Sequence, residues 1–439
     1  MSNWTFDELK RYDDKICKIA ESYGLDWFPI LYEVCDYFEM IGHMSYSGLP
    51  SHYPHWSYGK SFERTHQLYN AGMEGLPYEL IINSNPSIAY LMRQNPMALQ
   101  VLIMAHCVGH SDFFKNNRTF KGTQPDVIIP RIRGAKRRVQ AYIEDPSIGI
   151  EKVEKIIDAA HSIRFQTERI GRARISHEEQ KENYLKRIKD DEDKRWIDFV
   201  LDRVPFKVDY DILGFIIEHG KHLDDWERDV LNIIRNESLY FIPQIRTKIL
   251  NEGWASFWHH KILNELELPQ DYHIHFMKSH NQVIRPHPGR VNPYNVGFYL
   301  FQRIEKEQGL DRCFFIREVH HDVSALEELI DEQACRDLGL FTYSLKTKRR
   351  DQVYTVDDVS DDTGWENIKR DLIMQTGLNS LPKIGVSELT RGGTLVLQHE
   401  YDGRELEIDY ADQVVKNISL LWESDVRLKT YLEEEEVEL

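Results

Sequence analysis

Cysteine is scarce in this sequence. Its five residues, Cys17, Cys35, Cys107, Cys313 and Cys335, are odd in number, and no two stand in a Cys-x-x-Cys spacing. That argues against a disulfide framework or a cysteine-rich zinc site, and a reducing cytoplasm is the expected compartment. Long apolar runs are missing too. The longest, Val101-Leu102-Ile103-Met104-Ala105, stops at His106, far short of the roughly 20 residues that span a bilayer. Met1 to Lys10 lacks the basic-then-apolar order of a secretory signal. Positive charge is in deficit: 55 Lys and Arg against 72 Asp and Glu leave a formal net charge of -17. Such a chain is poorly suited to hold nucleic acid or an anionic membrane surface, because the phosphate term needs cations. The one basic run, Arg131, Arg133, Lys136, Arg137 and Arg138, reads as a solvated helix face balanced by acids elsewhere.

What is present is ordinary globular material: 439 residues, 41% hydrophobic and 29% charged. That length suits about three domains, or one large and one small. Up to about Gly339 the apolar spacing is mostly helical. Helices are expected over Thr5 to Tyr23, Asp26 to Ile41, Pro96 to about Asn117, Asp211 to Glu218, Asp225 to Glu237, Lys248 to Leu266 and Pro293 to Gln308. Tyr78 to Asn83 reads as a short strand. Gly42 to Gly59 is a loop unusual in holding His43, His52, His55 and Trp56, since loops are normally small and polar. Glu168 to Asp193 is dense in charge and reads as a solvated helix or linker. Beyond about Leu338 the texture changes. Phe341 to Leu345, Gln352 to Val356, Gly393 to His399 and Glu405 to Asp409 alternate like strands, with helices at Trp365 to Gln375 and Ala411 to Trp422. The tail from Glu433 to Glu438 is expected to fray. The expected architecture is a mainly α core, 1–338, with a short strand region, followed by a small α+β domain, 339–439.

His106 and His110 stand four residues apart, so a helix sets both imidazoles on one face, as two ligands of one ion require. Their helix is apolar all round, which places it in the middle of the protein. Two buried histidines need partners, because an unpaired buried polar group costs about 1–3 kcal/mol. A metal is one solution and hydrogen bonds to buried carboxylates are the other. A second segment, Asn251-Glu252-Gly253-Trp254-Ala255-Ser256-Phe257-Trp258-His259-His260, carries Glu252 in an apolar setting, where a lone carboxylate is expensive unless a cation or strong donor is near. Two His and one carboxylate from another helix form a common catalytic zinc set. His106, His110 and Glu252 are therefore the candidate ligands, and zinc the candidate ion. His259 lies two turns from Glu252, too far for both to reach one ion along a straight helix.

The runs Pro54-His55-Trp56-Ser57-Tyr58-Gly59-Lys60, Tyr78-Glu79-Leu80-Ile81-Ile82-Asn83-Ser84-Asn85-Pro86, Ala105 to Asn117, Leu250 to His259 and Asn292-Pro293-Tyr294-Asn295-Val296-Gly297 resemble the stage V sporulation protein R (SpoVR-like) family. The similarity extends from about Trp4 to Trp422. It implies a cytoplasmic bacterial protein needed for the peptidoglycan cortex of the spore, with no settled reaction. A more distant resemblance is to zinc metallopeptidases, through a strand, a His-x-x-x-His helix and a later Glu-Gly-x-Ala helix. That likeness implies a zincin-like helical core. In those enzymes a Glu follows the first His as general base, whereas this chain has Cys107, and a thiol does not replace it. His55 and His259 are candidates for the missing base, and Tyr294 for a donor to a developing oxyanion, although Tyr294 also reads as a helix-start residue packed on the core. His55 is read equally as lining the pocket or as bonding backbone carbonyls. Trp56, Lys60, Asn83 and Asp112 are the candidate substrate contacts, Asp112 serving otherwise as a support or cap. The rival reading is a cytoplasmic interaction protein whose His/Glu cluster is structural and whose C-terminal domain recruits protein partners.

Overall fold

The computed structural model describes residues 4–71, 79–167, 179, 182, 204–286, 291–348 and 351–439. Nearly all of the charged stretch from Glu168 to Asp193, and Tyr78 of the expected strand, lie outside the described residues. The chain divides into two compact units, one of Met1–Lys136 with Pro243–Gly377, the other of Arg137–Ile242 with Leu378–Leu439; Leu338 falls within the first.

The first unit begins with α1 (Phe6–Ser22), β1 (Ile30–Cys35), α2 (Tyr37–Ser45), α3 (Trp56–Asn70), β2 (Glu79–Ile82), β3 (Ser87–Met92) and α4 (Met97–Asn116). Local chemistry accounts for the ends of α1: Thr5 and Glu8 form a reciprocal capping box, and Gly24 follows the helix at a φ of 84°. The helix expected over Asp26 to Ile41 is not formed. Ile30 to Cys35 is instead a strand, parallel to β3, and β2 joins antiparallel on the other side, giving the order β1-β3-β2. Its apolar residues satisfy a two-residue period as well as a helical one, and pairing with β3 decides between them. Asp36 then caps α2.

Helix α4 runs through the interior. Every residue from Val101 to Phe114 is buried, as an all-apolar surface requires. The chain continues through α5 (Ile128–Glu144), α6 (Gly149–Ile163), α7 (Ile212–His219), α8 (Asp225–Arg246), α9 (Lys248–Glu265), α10 (Gln270–Val283), α11 (Pro293–Gln308), α12 (Leu310–Val319), α13 (Asp322–Leu329) and α14 (Glu332–Asp337). α4 packs against α1, α9, α10 and α12. Two close approaches fix its neighbours: a Cβ on Gly109 would lie 2.7 Å from Ala255 Cα, and one on Gly253 would lie 2.4 Å from Gly297 Cα. Glycine thus lets α4 meet α9 and α9 meet α11 backbone to backbone. Thr247, at the head of α9, makes no side-chain cap, and Asp322 supplies it from α13, accepting from Ile249 N at 2.8 Å and Leu250 N at 2.9 Å.

Burial pushes the Asp322 carboxyl from the ordinary 3.8 up to about 7, against the two backbone donors and Lys248. A raised folded-state pKa means stability that is fully present below the unfolded value and lost as pH rises through the folded one. The stability of the wild type relative to Asp322→Asn is therefore expected to fall by on the order of 2–4 kcal/mol between pH 4 and pH 8. Denaturant titrations of both proteins across that range check it, and a difference independent of pH would contradict it.

The remaining elements of the first unit are β4 (Phe341–Lys348), β5 (Asp351–Val359) and α15 (Gly364–Met374). The two strands form an antiparallel hairpin, and Ile368 and Leu372 of α15 share a core with Ile249, Val296, Leu300 and Leu326. In the second unit β6 (Ile384–Leu389), β7 (Leu395–His399), α16 (Ile408–Trp422), β8 (Val426–Leu432) and β9 (Glu435–Glu438) form a four-stranded sheet in the order β6-β7-β8-β9, with α16 against β8. Two expectations fail here. Glu405 to Glu407 is not a strand but leads into α16, and Glu435 to Glu438 is not frayed but pairs antiparallel with β8. Repeated glutamates suggest solvation, yet on an edge strand each second side chain faces water anyway. In the basic run, Arg138 Nε lies 2.6 Å from Asp229. The described chain is mostly helical with a C-terminal sheet region, and none of its described helices is long and apolar enough to cross a membrane.

Candidate metal centre

His106 and His110 project from one face of α4 with ring centroids 4.6 Å apart. The Gly109–Ala255 approach brings α9 alongside, so that Glu252 Oε2 lies 3.7 Å from His106 Nε2 and 3.3 Å from His110 Nε2. Glu79, the first residue of edge strand β2, reaches in from the sheet, its Oε1 3.5 Å from His106 Nε2. One donor atom each from Glu79, His106 and His110 lie within 4.8 Å of one another. These groups line a cavity of about 520 Å³, with Lys248, Asn251, His259 and Tyr294 among its other walls.

The electrostatics follow from burial. Burial alone disfavours a charge on Glu252, yet Lys248 Nζ at 2.7 Å and the two imidazoles hold its carboxyl well below the usual range. Burial likewise opposes a charged His110, but the Glu252 carboxylate outweighs it and raises the pKa. His110 Nδ1 donates to Asn251 Oδ1 at 2.9 Å, so its Nε2 is the nitrogen left to face Glu252. His106 Nε2 and Glu252 Oε2 are both buried with no partner in hydrogen-bonding geometry. On the far side of His106, Nδ1 lies 2.8 Å from His259 Nδ1. Burial, then the neighbouring imidazoles, hold His259 well below the ordinary histidine value. Tyr294, at the start of α11, stacks on His106 with centroids 6.2 Å apart. Burial, followed by the charges of Glu252 and Glu79, pushes its hydroxyl up.

Of the residues singled out in the sequence, His106, His110, Glu252, His259 and Tyr294 meet at this cavity, with His259 behind His106 rather than beside Glu252. The others do not line it. His55 caps α3, its Nδ1 2.8 Å from Ser57 Oγ. Trp56 is half exposed, with Lys60 Nζ 5.5 Å over its ring. Asn83 is buried and donates to Thr123 Oγ1. Asp112 accepts from Trp254 Nε1 at 2.8 Å and from Asp26 N, and lies 3.3 Å from Arg317. It stands about 200° round the helix from His110 at 3.6 residues per turn. Cys107 is fully buried in the main core, where desolvation raises its thiol well above the ordinary value.

The sequence reading missed Glu79, Lys248, Asn251 and His280. Lys248 carried a signal, standing four residues before Glu252. So did Glu79, a charge within an otherwise apolar strand. Asn251 and His280 carried none, because only the packing of α9 brings Asn251 to His110 and only that of α10 brings His280 to His259.

The site is thus a buried His/Glu cluster where two core helices meet an edge strand. The chain belongs to the SpoVR family: the "SpoVR like protein" model matches residues 3–381 and the "SpoVR-like C-terminal domain" model matches residues 382–433. The chain is also similar to the Escherichia coli (strain K12) protein described as "Uncharacterized protein YcgB", 31% identical over 487 residues that take in 100% of this chain and 94% of the relative. No solved structure matches.

Proposed function

We propose that this SpoVR-family protein has a sporulation-related role, in formation of the peptidoglycan cortex, and carries it out in the cytoplasm through a zincin-like metal centre. Family membership supports the sporulation-related role. The observation that carries the metal reading is the pair of orphaned buried atoms, His106 Nε2 and Glu252 Oε2, which converge with His110 Nε2 and Glu79. Buried lone pairs and carboxylate oxygens left facing one another need a cation or protons between them, and two imidazoles with carboxylate oxygens are a donor set suited to zinc. His106, His110 and Glu252 would hold the ion, with Glu79 within reach of the same position. A bound zinc would supply Lewis-acid polarisation of a substrate oxygen. Lys248 fixes the Glu252 carboxylate and Asn251 fixes the His110 ring, and the Tyr294 hydroxyl would donate toward negative charge developing in the cavity. Protein partners bound through the C-terminal part belong to the same proposal.

Protein purified without chelators is expected to hold about one divalent ion per chain by plasma mass spectrometry, and His106→Ala or Glu252→Gln to hold less than about a tenth of that. Folded wild-type protein free of metal, and taking up none when zinc is supplied, would favour a structural cluster in which the Lys248–Glu252 ion pair supplies the countercharge. A His106→Ala allele that restores cortex formation in a spore-forming host lacking the protein would count against the metal centre as the working part.

A further inference from the structure

His106 is the first of three imidazoles in a row. Its Nδ1 lies 2.8 Å from Nδ1 of His259, and Nε2 of His259 lies 2.7 Å from Nδ1 of His280. His259 and His280 are only 1% and 2% exposed. With one proton in each N···N contact and one on each ring, the hydrogen bonds can run in only two directions. Outward, His106 Nδ1–H donates to His259 and His259 Nε2–H donates to His280, leaving His106 Nε2 as a bare lone pair. Inward, both bonds reverse and His106 carries its proton on Nε2.

The surroundings of His106 Nε2 select between the two. That atom faces Glu79 at 3.5 Å and Glu252 at 3.7 Å. With nothing between them, a lone pair set against two carboxylates is unfavourable, and the inward direction, which turns an N–H toward them, is preferred. A cation held there demands the lone pair and reverses the preference. Each ring keeps one proton throughout. The proton lost from His106 Nε2 is matched by one gained at His280 Nε2, and the two shared protons each cross one N···N contact. The far end of the row, His280, packs against half-buried His260 with centroids 4.8 Å apart.

We propose that His259 and His280 are positioning residues that set which nitrogen of His106 carries its proton, and that filling the site with a divalent cation is relayed to His280 as a change from Nδ1–H to Nε2–H. This rests on the metal-centre reading above. The test uses the full chain labelled with 15N in histidine, two-bond proton–nitrogen correlation spectra to read each ring's tautomer, and a zinc titration followed in parallel by calorimetry. One equivalent of zinc is expected to switch His280 from Nδ1–H to Nε2–H. His259→Gln is expected to abolish the switch and to weaken zinc binding by about 10–100-fold. Should His259→Gln not fold, His280→Gln replaces it and is expected to weaken zinc binding by a smaller factor at unchanged stoichiometry. Zinc bound to the wild type with His280 in one tautomer throughout, or variants that bind zinc like the wild type, overturn the relay and leave the metal centre standing. A wild type that binds no zinc overturns both.

Discussion

Changing Cys107 to glutamate is expected to unfold the protein or to lower its stability by several kcal/mol, and not to create a hydrolase. The residue after the first histidine of a His-x-x-x-His helix can act on the ligand side only if the helix is turned to present it there. Here α4 is turned otherwise. His106 and His110 face the cavity, while Cys107 is fully buried in the main core and does not line the cavity. After burial, the charges that raise its thiol are those of Glu79 on β2 and then Asp13 of α1, and Tyr32 of β1 also feels Asp13 and Cys107. Among the described residues no cation acts on that position, and Glu79 and Asp13 would both repel a carboxylate placed there. Thermal melts of the variant with and without zinc, together with hydrolysis of generic peptides, decide the matter. A folded Cys107→Glu protein that hydrolyses peptides in the presence of zinc would mean that position 107 faces the cavity, and would restore the orientation seen in the peptidases.

Gly253→Ala and Gly297→Ala are each expected to cost about 3 kcal/mol or more, although alanine is the better helix former by about 1 kcal/mol. The added methyl at 253 would stand 2.3 Å from the Gly297 carbonyl carbon, and the one at 297 would stand 2.1 Å from Ile249 O. Both obstacles are backbone, so neither can swing aside. The helices must separate, and with them Tyr294 moves from His106 and the core shared by Ile249, Val296 and Leu300 opens. Gly42→Ala is the control: it lies within α2, and an added methyl there meets nothing within 4 Å. That change is expected to be neutral or to stabilise by up to about 1 kcal/mol. Denaturant melts of the three variants check the pattern. Equal stability of Gly253→Ala and Gly42→Ala would mean that α9 and α11 are not in backbone contact.

Several features were determined by the sequence alone, and each rests on a local rule. The interior position of α4 follows from apolar residues on every side. The start of α1 follows from Thr5 and Glu8. The pairing of His106 with His110 follows from a separation of four on a helix, which no packing can alter. Glu252 was legible because a carboxylate amid Trp254, Phe257 and Trp258 demands a partner. Other features were decided only in three dimensions. Ile30 to Cys35 satisfied two periodicities, and β3 chose the strand. His55, Trp56, Lys60, Asn83 and Asp112 had suitable chemistry, but side-chain type carries no direction. Three of them are taken up by Ser57, Thr123 and Trp254, and the Lys60 amine lies over the Trp56 ring. Glu79, on β2, reaches His106 and His280, on α10, reaches His259 from elements remote in sequence, and glycine lets α4, α9 and α11 approach at backbone distance. Local spacing sets which groups share a helix face, but long-range packing sets which faces meet, and the candidate site lies where they do.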